Sequence, residues 1–432
     1  MTQPPRVSGA RRSRPLPELA VNGGTPVRSP RRRWPEWPVP APNADRNLRE
    51  VLGAGRWAIS GPQGPELFER RFGRAFAAYT GSRYCVPVDH GSSALVIALE
   101  SLRLDHGDVV LVPALTWIAS ASAALRAGLL PLLVDVDPAT GCMTAEHLDT
   151  DVPARAAVVV HWANVMADVP ALVKAAAARD MVVIEDAAQA HGGRWEGRGA
   201  GSMGRLGCFS FQDRKVLTGG EGGAVVTDDG ALAVALEELR ADSRSYRPEP
   251  AGPDELELAE TAGIHGANFC MSEFNAAVLC AQIEVLEEEH DRRERNFRLL
   301  AGLLASIDGV RLLTPAPEQT RLAIYEATFI FDDLPRGVTN QDIATALSAE
   351  LGRGFYLTDT PLHRSPLLRP WTKPTLKPLA DRFADLHRGR RYPVTDHIAT
   401  HCVQTHHSAL LGDATDMNDI AEAIDKVTRA IG

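Results

Sequence analysis

Short apolar runs alternate with longer helical stretches over residues 84–185, and this alternation restricts the chain to few folds. The predicted strands are 84–88, 109–112, 130–136, 156–161 and 181–185, and the predicted helices begin near 92, at 118 and at 170. Helices between successive strands produce βαβ units, in which a parallel sheet is covered on both faces. Ligands of such sheets bind at the carboxyl ends of the strands. We therefore predict an α/β fold with its site at that edge.

A second region begins near residue 272. Residues 272–307 have helical periodicity with a polar middle, and a helix of this length can link two domains. A strand is then predicted at 325–331, a helix at 340–351 and a last helix from Asp416. We predict a large, mostly parallel sheet domain over residues 34–271, followed by a linking helix and a smaller C-terminal α/β domain over residues 272–432.

Composition and charge argue against several classes of protein. The net charge of −9 argues against nucleic-acid binding. No apolar run is long enough to span a membrane, and the six cysteines lack metal-ligand spacing, which suits reduced thiols. Residues 1–33 carry eight arginines and several prolines, which break the amphipathic helix of a transit peptide. We predict a flexible basic leader on a cytoplasmic protein without a metal site.

Lys215 is one of only five lysines among 46 lysines and arginines. It lies between an apolar stretch at 208–211 and a glycine-rich segment at 219–223. An arginine cannot lose its proton in a protein, whereas a partly buried lysine can, and it then serves as a nucleophile. A lysine that extends from a strand end into solvent explains the position equally well.

Other polar or aromatic residues follow the ends of predicted strands. Asp186 follows the strand at 181–185, Ser92 and Ser93 open a helix after 84–88, and Trp117 follows 109–112. Each has an ordinary structural explanation, as a turn cap, a helix start or a core side chain. Together with Lys215 they match the needs of pyridoxal phosphate (PLP): an amine, a carboxylate for the ring nitrogen, a helix N-terminus for the phosphate and an aromatic plate.

The segment Gly199–Gly204 spells GxGxxG, which is the fingerprint of dinucleotide binding when a strand precedes it and a helix follows. Here a charged turn precedes the segment and a strand is predicted after it. We therefore reject a dinucleotide site.

Three segments carry a resemblance to a known family. Residues 185–192, 209–223 and 266–268 resemble the DegT/DnrJ/StrS group of sugar aminotransferases, which are fold-type-I PLP enzymes. The match extends from Trp34 to the C-terminus. Within the group, the chain is most similar to the L-glutamine:scyllo-inosose and 2-deoxy-scyllo-inosose aminotransferases of aminocyclitol antibiotic pathways. The resemblance implies an aspartate aminotransferase-like fold, with PLP bound by the large domain.

The resemblance also implies roles for individual residues. Lys215 is then the Schiff-base lysine, and Asn268 reaches the phosphate from the other subunit of a homodimer with shared active sites. The cofactor-binding residues implied within one chain are Asp186, Gln189, Ser210, Ser92, Ser93 and Trp117. Tyr356, His406 and His407 lie where the family lines its substrate pocket, although a structural histidine pair near a turn fits equally well.

The implied function is amination of a keto-cyclitol with L-glutamine as donor. Alternatives are amination of a keto-sugar nucleotide or a C7-cyclitol ketone, or a catalytically silent protein of the same fold. His90, Asp213–Arg214 and Trp162–Asn164 depart from the pattern of the group and bear on the substrate. We also predict that Trp57, Trp117 and Trp162 narrow the cleft and that Asn164 contacts the substrate.

Overall fold

The predicted apolar runs form a seven-stranded sheet in the computed structural model, which describes residues 18–62, 64, 66–247 and 255–431. In spatial order its strands are Tyr84–Val88, Gly223–Thr227, Leu206–Ser210, Val182–Asp186, Ala156–Val160, Val109–Pro113 and Leu130–Val134. Gly223–Thr227 is antiparallel to both neighbours, and the remaining strands run parallel. The sheet is therefore mostly parallel, as predicted.

Helices cover both faces of this sheet because its strands are apolar on both sides. The helices of this region are Ala44–Ala54, Phe68–Thr80, Gly91–Ser101, Ala119–Arg126, Val169–Ala177 and Gly230–Arg240, with a 3₁₀ turn at Ala145–Leu148. All residues of the strands Val109–Pro113 and Ala156–Val160 are buried. Burial on both faces is what removes the alternating pattern of a half-exposed strand. The parallel order brings the carboxyl ends of these strands to one edge.

The helix Glu273–Leu304 links the two regions over 32 residues. It begins at Ser272, whose hydroxyl accepts a hydrogen bond from the backbone amide of Asn275. Its first half packs on the helices Ala44–Ala54 and Phe68–Thr80. Its last turns bury Phe297, Leu300 and Leu304 in a second core. A helix is therefore present where the periodicity of residues 272–307 predicts one.

The second core belongs to a small domain with a four-stranded antiparallel sheet. Its strands, in spatial order, are Val310–Leu312, Glu326–Phe331, Cys402–His406 and Phe355–Tyr356. Its helices are Asn340–Leu351 and Ala414–Ile431, and the 3₁₀ turn His407–Leu411 lies between the strand Cys402–His406 and the second of these helices. Shorter strands elsewhere are Arg194–Trp195, Arg198–Gly199, Arg244–Tyr246, Leu258–Glu260 and Gln319–Arg321.

One C-terminal segment packs on the large domain, although the prediction assigns all residues after 271 to the linking helix and small domain. The helices Lys377–His387 and Pro393–His401, preceded by 3₁₀ turns at Pro370–Thr372 and Pro374–Leu376, lie in this segment. Leu379, Phe383 and Ile398 are buried in the core of the large sheet. The division at residue 271 is therefore incomplete, because amphipathic helices do not reveal from sequence which sheet they cover.

The predicted leader is wrong for residues 18–33, while residues 1–17 lie outside the described residues. Ala20–Asn22 forms a 3₁₀ turn, and Arg28 is only 3% exposed. The Arg28 guanidinium lies 2.8 Å from Asp416 and 2.7 Å from Asp419 on the last helix. These carboxylates are almost 400 residues away from Arg28 in the sequence. The composition of residues 1–33 alone therefore shows many arginines without acidic partners. Residues 18–33 are part of the small domain.

Candidate active site

A cavity of about 700 Å³ lies at the carboxyl ends of the large sheet and extends to the small domain. Its wall includes the following predicted site residues: Ser92, Ser93, Trp117, Asp186, Gln189, Ser210, Lys215 and Tyr356. These residues come from four separate segments of the large domain and one of the small domain. The parallel topology thus brings together most of the residues that the sequence singles out.

Lys215 lies in a tight loop between the strands Leu206–Ser210 and Gly223–Thr227. The loop is closed by a hydrogen bond from the Gly219 amide to the Phe211 carbonyl oxygen (3.1 Å). The Lys215 amine lies 4.1 Å from the centre of the Tyr325 ring, which comes from the small domain. Burial lowers the pKa of this amine to about 8, since desolvation of the ammonium outweighs the nearby carboxylates. The site therefore makes Lys215 much easier to deprotonate to the nucleophilic amine than a lysine in solution.

The lowered pKa of Lys215 leads to a prediction for PLP, the expected cofactor, which is that the rate of its reaction with the cofactor-free protein depends on pH. The capture rate is expected to rise about tenfold per pH unit below pH 8 and to level off above it, because only the neutral amine attacks an aldehyde. Stopped-flow absorbance across pH 6–10 measures this profile. A rate that keeps rising towards pH 10 would show an amine with the pKa of a lysine in solution.

Asp186 ends the strand Val182–Asp186 at the floor of the cavity and is 6% exposed. Its Oδ2 accepts a hydrogen bond from the Ser120 hydroxyl (2.7 Å), and its Oδ1 accepts one from the Ala188 amide (3.2 Å). Burial raises the pKa of the carboxyl, and these hydrogen bonds only partly oppose it. A cation bound inside the cavity would stabilise the ionised form of this buried carboxylate. Ser120 was missed because one serine in a helix carries no distinct signal.

The helix Gly91–Ser101 points its N-terminus at the cavity, with the Ser92 and Ser93 amides in its first turn. A Cβ on Gly91 would lie 2.5 Å from the Ser210 Cβ, so this position requires glycine. Unpaired amides and the helix dipole together favour an anion at such an end. His90, which precedes the helix, contacts Glu221 through Nδ1 at 3.0 Å. The turn therefore forms a cradle that fits a phosphate between Ser92, Ser93 and Ser210.

Gln189 and Trp117 occupy other parts of the same wall. The Gln189 Oε1 accepts a hydrogen bond from the Ala163 amide (2.7 Å), which fixes the side chain. Trp117 is 52% exposed although it is a large aromatic residue. A tryptophan exposed to a cavity has a free face on which a ring can stack. Both positions agree with the arrangement expected for PLP, while their contacts with it stay predictions.

Arg214, Tyr356 and Glu326 form a polar cluster on the wall from the small domain. Arg214 donates to the Tyr356 hydroxyl (2.7 Å), which in turn donates to Glu326 (2.5 Å). Glu326 is 5% exposed, and burial raises its pKa to about 7. The sequence did not single out Glu326, because it begins an apolar strand and resembles an ordinary edge residue. Tyr356 lies on the wall as predicted, and its contact with substrate stays a prediction.

His406 and His407 do not line the cavity in the described part of the chain, so this prediction is wrong. Both rings place Nε2 near the Arg214 carbonyl oxygen, at 2.9 and 3.2 Å. Arg293 donates to Nδ1 of His407 (3.2 Å), and Trp37 packs edge-on against the same ring (4.5 Å). Burial lowers the pKa of His406 to about 4. The two neutral histidines therefore contact the lysine loop on the side that faces away from the cavity.

The predicted narrowing of the cleft holds for two of three tryptophans. Trp117 and Trp162 line the cavity, whereas Trp57 packs 5.7 Å from the Phe274 ring and lies outside it. Asn164 is 1% exposed and donates to the Leu313 carbonyl oxygen (2.8 Å). It does not reach the cavity, so its predicted contact with substrate is wrong.

Asn268 is exposed and lies outside the described wall of its own chain's cavity. Its Oδ1 accepts a hydrogen bond from the Cys270 amide (3.2 Å), which orients the side chain. A role at the phosphate within the same chain is therefore absent from this structure. A role in a second subunit's site stays a prediction.

The GxGxxG segment has a structural role. The amides of Gly201, Met203 and Gly204 donate to the Glu185 carboxylate at 2.8, 2.7 and 2.6 Å. The strand Leu206–Ser210 follows the segment, as predicted. These amides are thus occupied by a buried side chain and are not presented to a dinucleotide.

No cluster of three or more histidine, cysteine, aspartate or glutamate residues with metal-binding geometry was found among the described residues. No helix in the same part of the chain has the length and apolarity needed to cross a bilayer.

Comparison with known proteins agrees with this geometry. The DegT/DnrJ/EryC1/StrS aminotransferase family matches residues 41–425. L-glutamine:2-deoxy-scyllo-inosose aminotransferase of Micromonospora echinospora is 44% identical over 414 residues, which cover 95% of this chain and 97% of that enzyme. L-glutamine:scyllo-inosose aminotransferase of Streptomyces griseus is 41% identical over 415 residues, with coverage of 95% and 97%.

The fold comparison points the same way. The crystal structure of 3-amino-5-hydroxybenzoic acid synthase superposes with a TM-score of 0.77 at 30% identity, covering 91% of this chain and 98% of that one. The predicted fold class is confirmed.

Proposed function

Because the chain belongs to the DegT/DnrJ/EryC1/StrS aminotransferase family, we propose that it transfers the amino group of L-glutamine to a keto-cyclitol, with PLP as cofactor. The proposed acceptor is scyllo-inosose or 2-deoxy-scyllo-inosose, within aminocyclitol antibiotic biosynthesis in the cytoplasm. The observation that carries the proposal is the 41–44% identity, over nearly the whole chain, to enzymes named for these substrates.

The residues present in the cavity fit PLP. The Lys215 amine has a lowered pKa, and the Asp186 carboxylate is buried, with no cationic side chain among the described residues in hydrogen-bond contact with it. The tight approach of Gly91 to Ser210 forms a cradle at a helix N-terminus, which suits the phosphate. Asp186 would hold the ring nitrogen, and Trp117 would stack on the ring. When bound, PLP supplies an electron sink for the carbanion at the α carbon of the donor.

The chain's own residues then bind the cofactor and move protons. Lys215 would hold the cofactor through its amine, and its Nζ, once free, would take the proton from the donor's α carbon. Asp186 would stabilise positive charge at the ring nitrogen. Tyr325, which packs on the lysine side chain, limits the directions in which the amine can move. In the second half of the reaction, when the amino group passes to the ketone, Lys215 would move the proton in the opposite direction.

The lining of the cavity supports a small polyol as acceptor. Neutral hydrogen-bonding side chains on its wall include Gln189, Gln212, Thr358 and Gln404. Such groups bind hydroxyls, each with roughly 0.5–1.5 kcal/mol. Trp117 and Trp162 further limit the space available.

The proposed function is tested with a panel of donors and acceptors assayed by mass spectrometry. Scyllo-inosose, its 2-deoxy analogue, a C7-cyclitol ketone and a keto-sugar nucleotide are each paired with L-glutamine, L-glutamate and L-alanine. We expect the fastest turnover with L-glutamine and one of the two inososes. Faster amination of the nucleotide or the C7 ketone would overturn the proposed acceptor. A protein that binds PLP but aminates no ketone would support the catalytically silent alternative.

We also propose a homodimer with shared sites, supported by the exposed position of Asn268 outside its own cavity. Mixing Lys215→Ala with Asn268→Ala subunits is expected to produce hybrid dimers in which one site retains both residues. Activity should then exceed that of either parent, towards about a quarter of the wild type if subunits exchange at random. The control is the same mixture under conditions that block exchange. No recovery after proven exchange would contradict the role of Asn268 in a partner's site.

A further inference from the structure

The amino donor carries an α-carboxylate, and the cavity offers few cations to bind it. The basic side chains on the described wall are His90, Arg126, Arg214 and Lys215. Lys215 is assigned to the cofactor, and His90 is held by Glu221 beside the phosphate cradle. Arg126 is exposed at the end of its helix. Arg214 remains as the cation adjacent to the reacting amine.

Arg214 and Lys215 direct their charged ends to the same aromatic residue. The Lys215 amine lies over the Tyr325 ring at 4.1 Å. Burial raises the pKa of the Tyr325 hydroxyl, and the positive charge of the nearby Arg214 guanidinium partly opposes this shift. In an α-amino acid, the carboxylate and the amine are attached to the same carbon. A donor whose α carbon lies at the Lys215 amine therefore presents its carboxylate within reach of the Arg214 guanidinium.

We propose that Arg214 binds the α-carboxylate of the amino donor and thereby selects α-amino acids over other amines. This inference rests on the proposed aminotransferase function. It assigns a substrate-binding role to a residue that departs from the pattern expected of the group.

The Arg214 guanidinium has hydrogen-bonding capacity for this role. A guanidinium carries five N–H donors in a planar fork that matches a carboxylate. Tyr356 accepts a hydrogen bond from it (2.7 Å), and Glu326 lies 3.6 Å away, beyond hydrogen-bond length. The Arg214 side chain is 50% exposed and faces the cavity. A donor carboxylate can therefore pair with the fork while Tyr356 holds the arginine in place.

The test compares two unreactive analogues on the PLP-loaded enzyme by calorimetry. Glutaramate is L-glutamine without its amino group, and glutaramide replaces the carboxylate of glutaramate by an amide. Wild-type protein is expected to bind glutaramate about 10- to 100-fold more tightly than glutaramide, because a charge-assisted pair is worth roughly 1.5–3 kcal/mol. Arg214→Gln should reduce this ratio to near one, and Arg214→Lys should leave an intermediate ratio.

Arg126→Gln is the matched control, since Arg126 is the other arginine on the wall, and it should retain the ratio of the wild type. An unchanged ratio in Arg214→Gln, a ratio lost in Arg126→Gln, or no preference for glutaramate in the wild type would each overturn the role of Arg214. Failure of the proposed function would appear elsewhere, as absent amino transfer to the cyclitol ketones by the wild type.

Discussion

Asp186→Asn is expected to lower turnover at least about 100-fold while the protein stays folded. Asparagine retains the shape of the side chain. Its Oδ1 can still accept a hydrogen bond from the Ala188 amide, and its Nδ2 can donate to the Ser120 hydroxyl, which has Thr116 as a second partner. It removes the negative charge that would hold a protonated ring nitrogen. Steady-state rates with saturating PLP measure the effect, and circular dichroism verifies the fold.

The raised pKa of Asp186 also predicts the effect of this substitution on stability. A carboxyl whose pKa is higher in the folded protein opposes folding when it is ionised, and its cost grows as pH rises through its unfolded value. The cofactor-free Asp186→Asn protein should therefore melt at the same temperature as the wild type or higher at pH 7. Asp135→Asn is the matched control, because Asp135 follows the edge strand Leu130–Val134 of the same sheet and accepts hydrogen bonds from the Val394 and Thr395 amides. Near-normal turnover of Asp186→Asn would show that Asp186 only caps the turn after its strand and has no role at the ring nitrogen.

Lys215→Ala is expected to abolish covalent attachment of PLP and to lower turnover by roughly 10²–10⁴-fold or more, since it removes both the nucleophile and the proton carrier. Addition of a small amine such as ethylamine should restore part of the activity, because a free amine can occupy the vacated space and move the proton. Absorbance spectra and single-turnover rates measure both effects. Lys174→Arg, on an exposed helix position, is the control and should behave as the wild type. A Lys215→Ala protein that keeps its normal rate would place the reacting amine elsewhere.

The sequence was sufficient to predict the residues at the ends of the parallel strands. Asp186, Ser92 and Ser210 lie together because parallel strands end at one edge of a sheet, and this geometry follows from the alternation of strands and helices. The residues contributed from elsewhere were harder to predict. Glu326 begins a strand in the other domain, and Ser120 acts only through its hydrogen bond to Asp186. Nothing in either local pattern indicates a partner so distant along the chain.

The errors have a common cause, which is that local composition does not show tertiary partners. His406 and His407 lie close to the site in space, yet they contact the Arg214 carbonyl oxygen from the opposite side of the loop. The residues around Arg28 in the sequence predict a flexible basic leader, whereas in the fold Arg28 pairs with two aspartates of the last helix. A sequence pattern can therefore predict which residues approach the site without predicting which face of a loop they occupy.

We propose that the chain is a PLP enzyme whose cofactor is attached to Lys215. Borohydride reduction of the PLP-loaded protein, followed by proteolysis and peptide mass spectrometry, identifies the lysine that carries the cofactor. We expect a single pyridoxyl adduct, on the peptide that contains Lys215. An adduct on one of the other four lysines, or a protein that takes up no PLP, would contradict it.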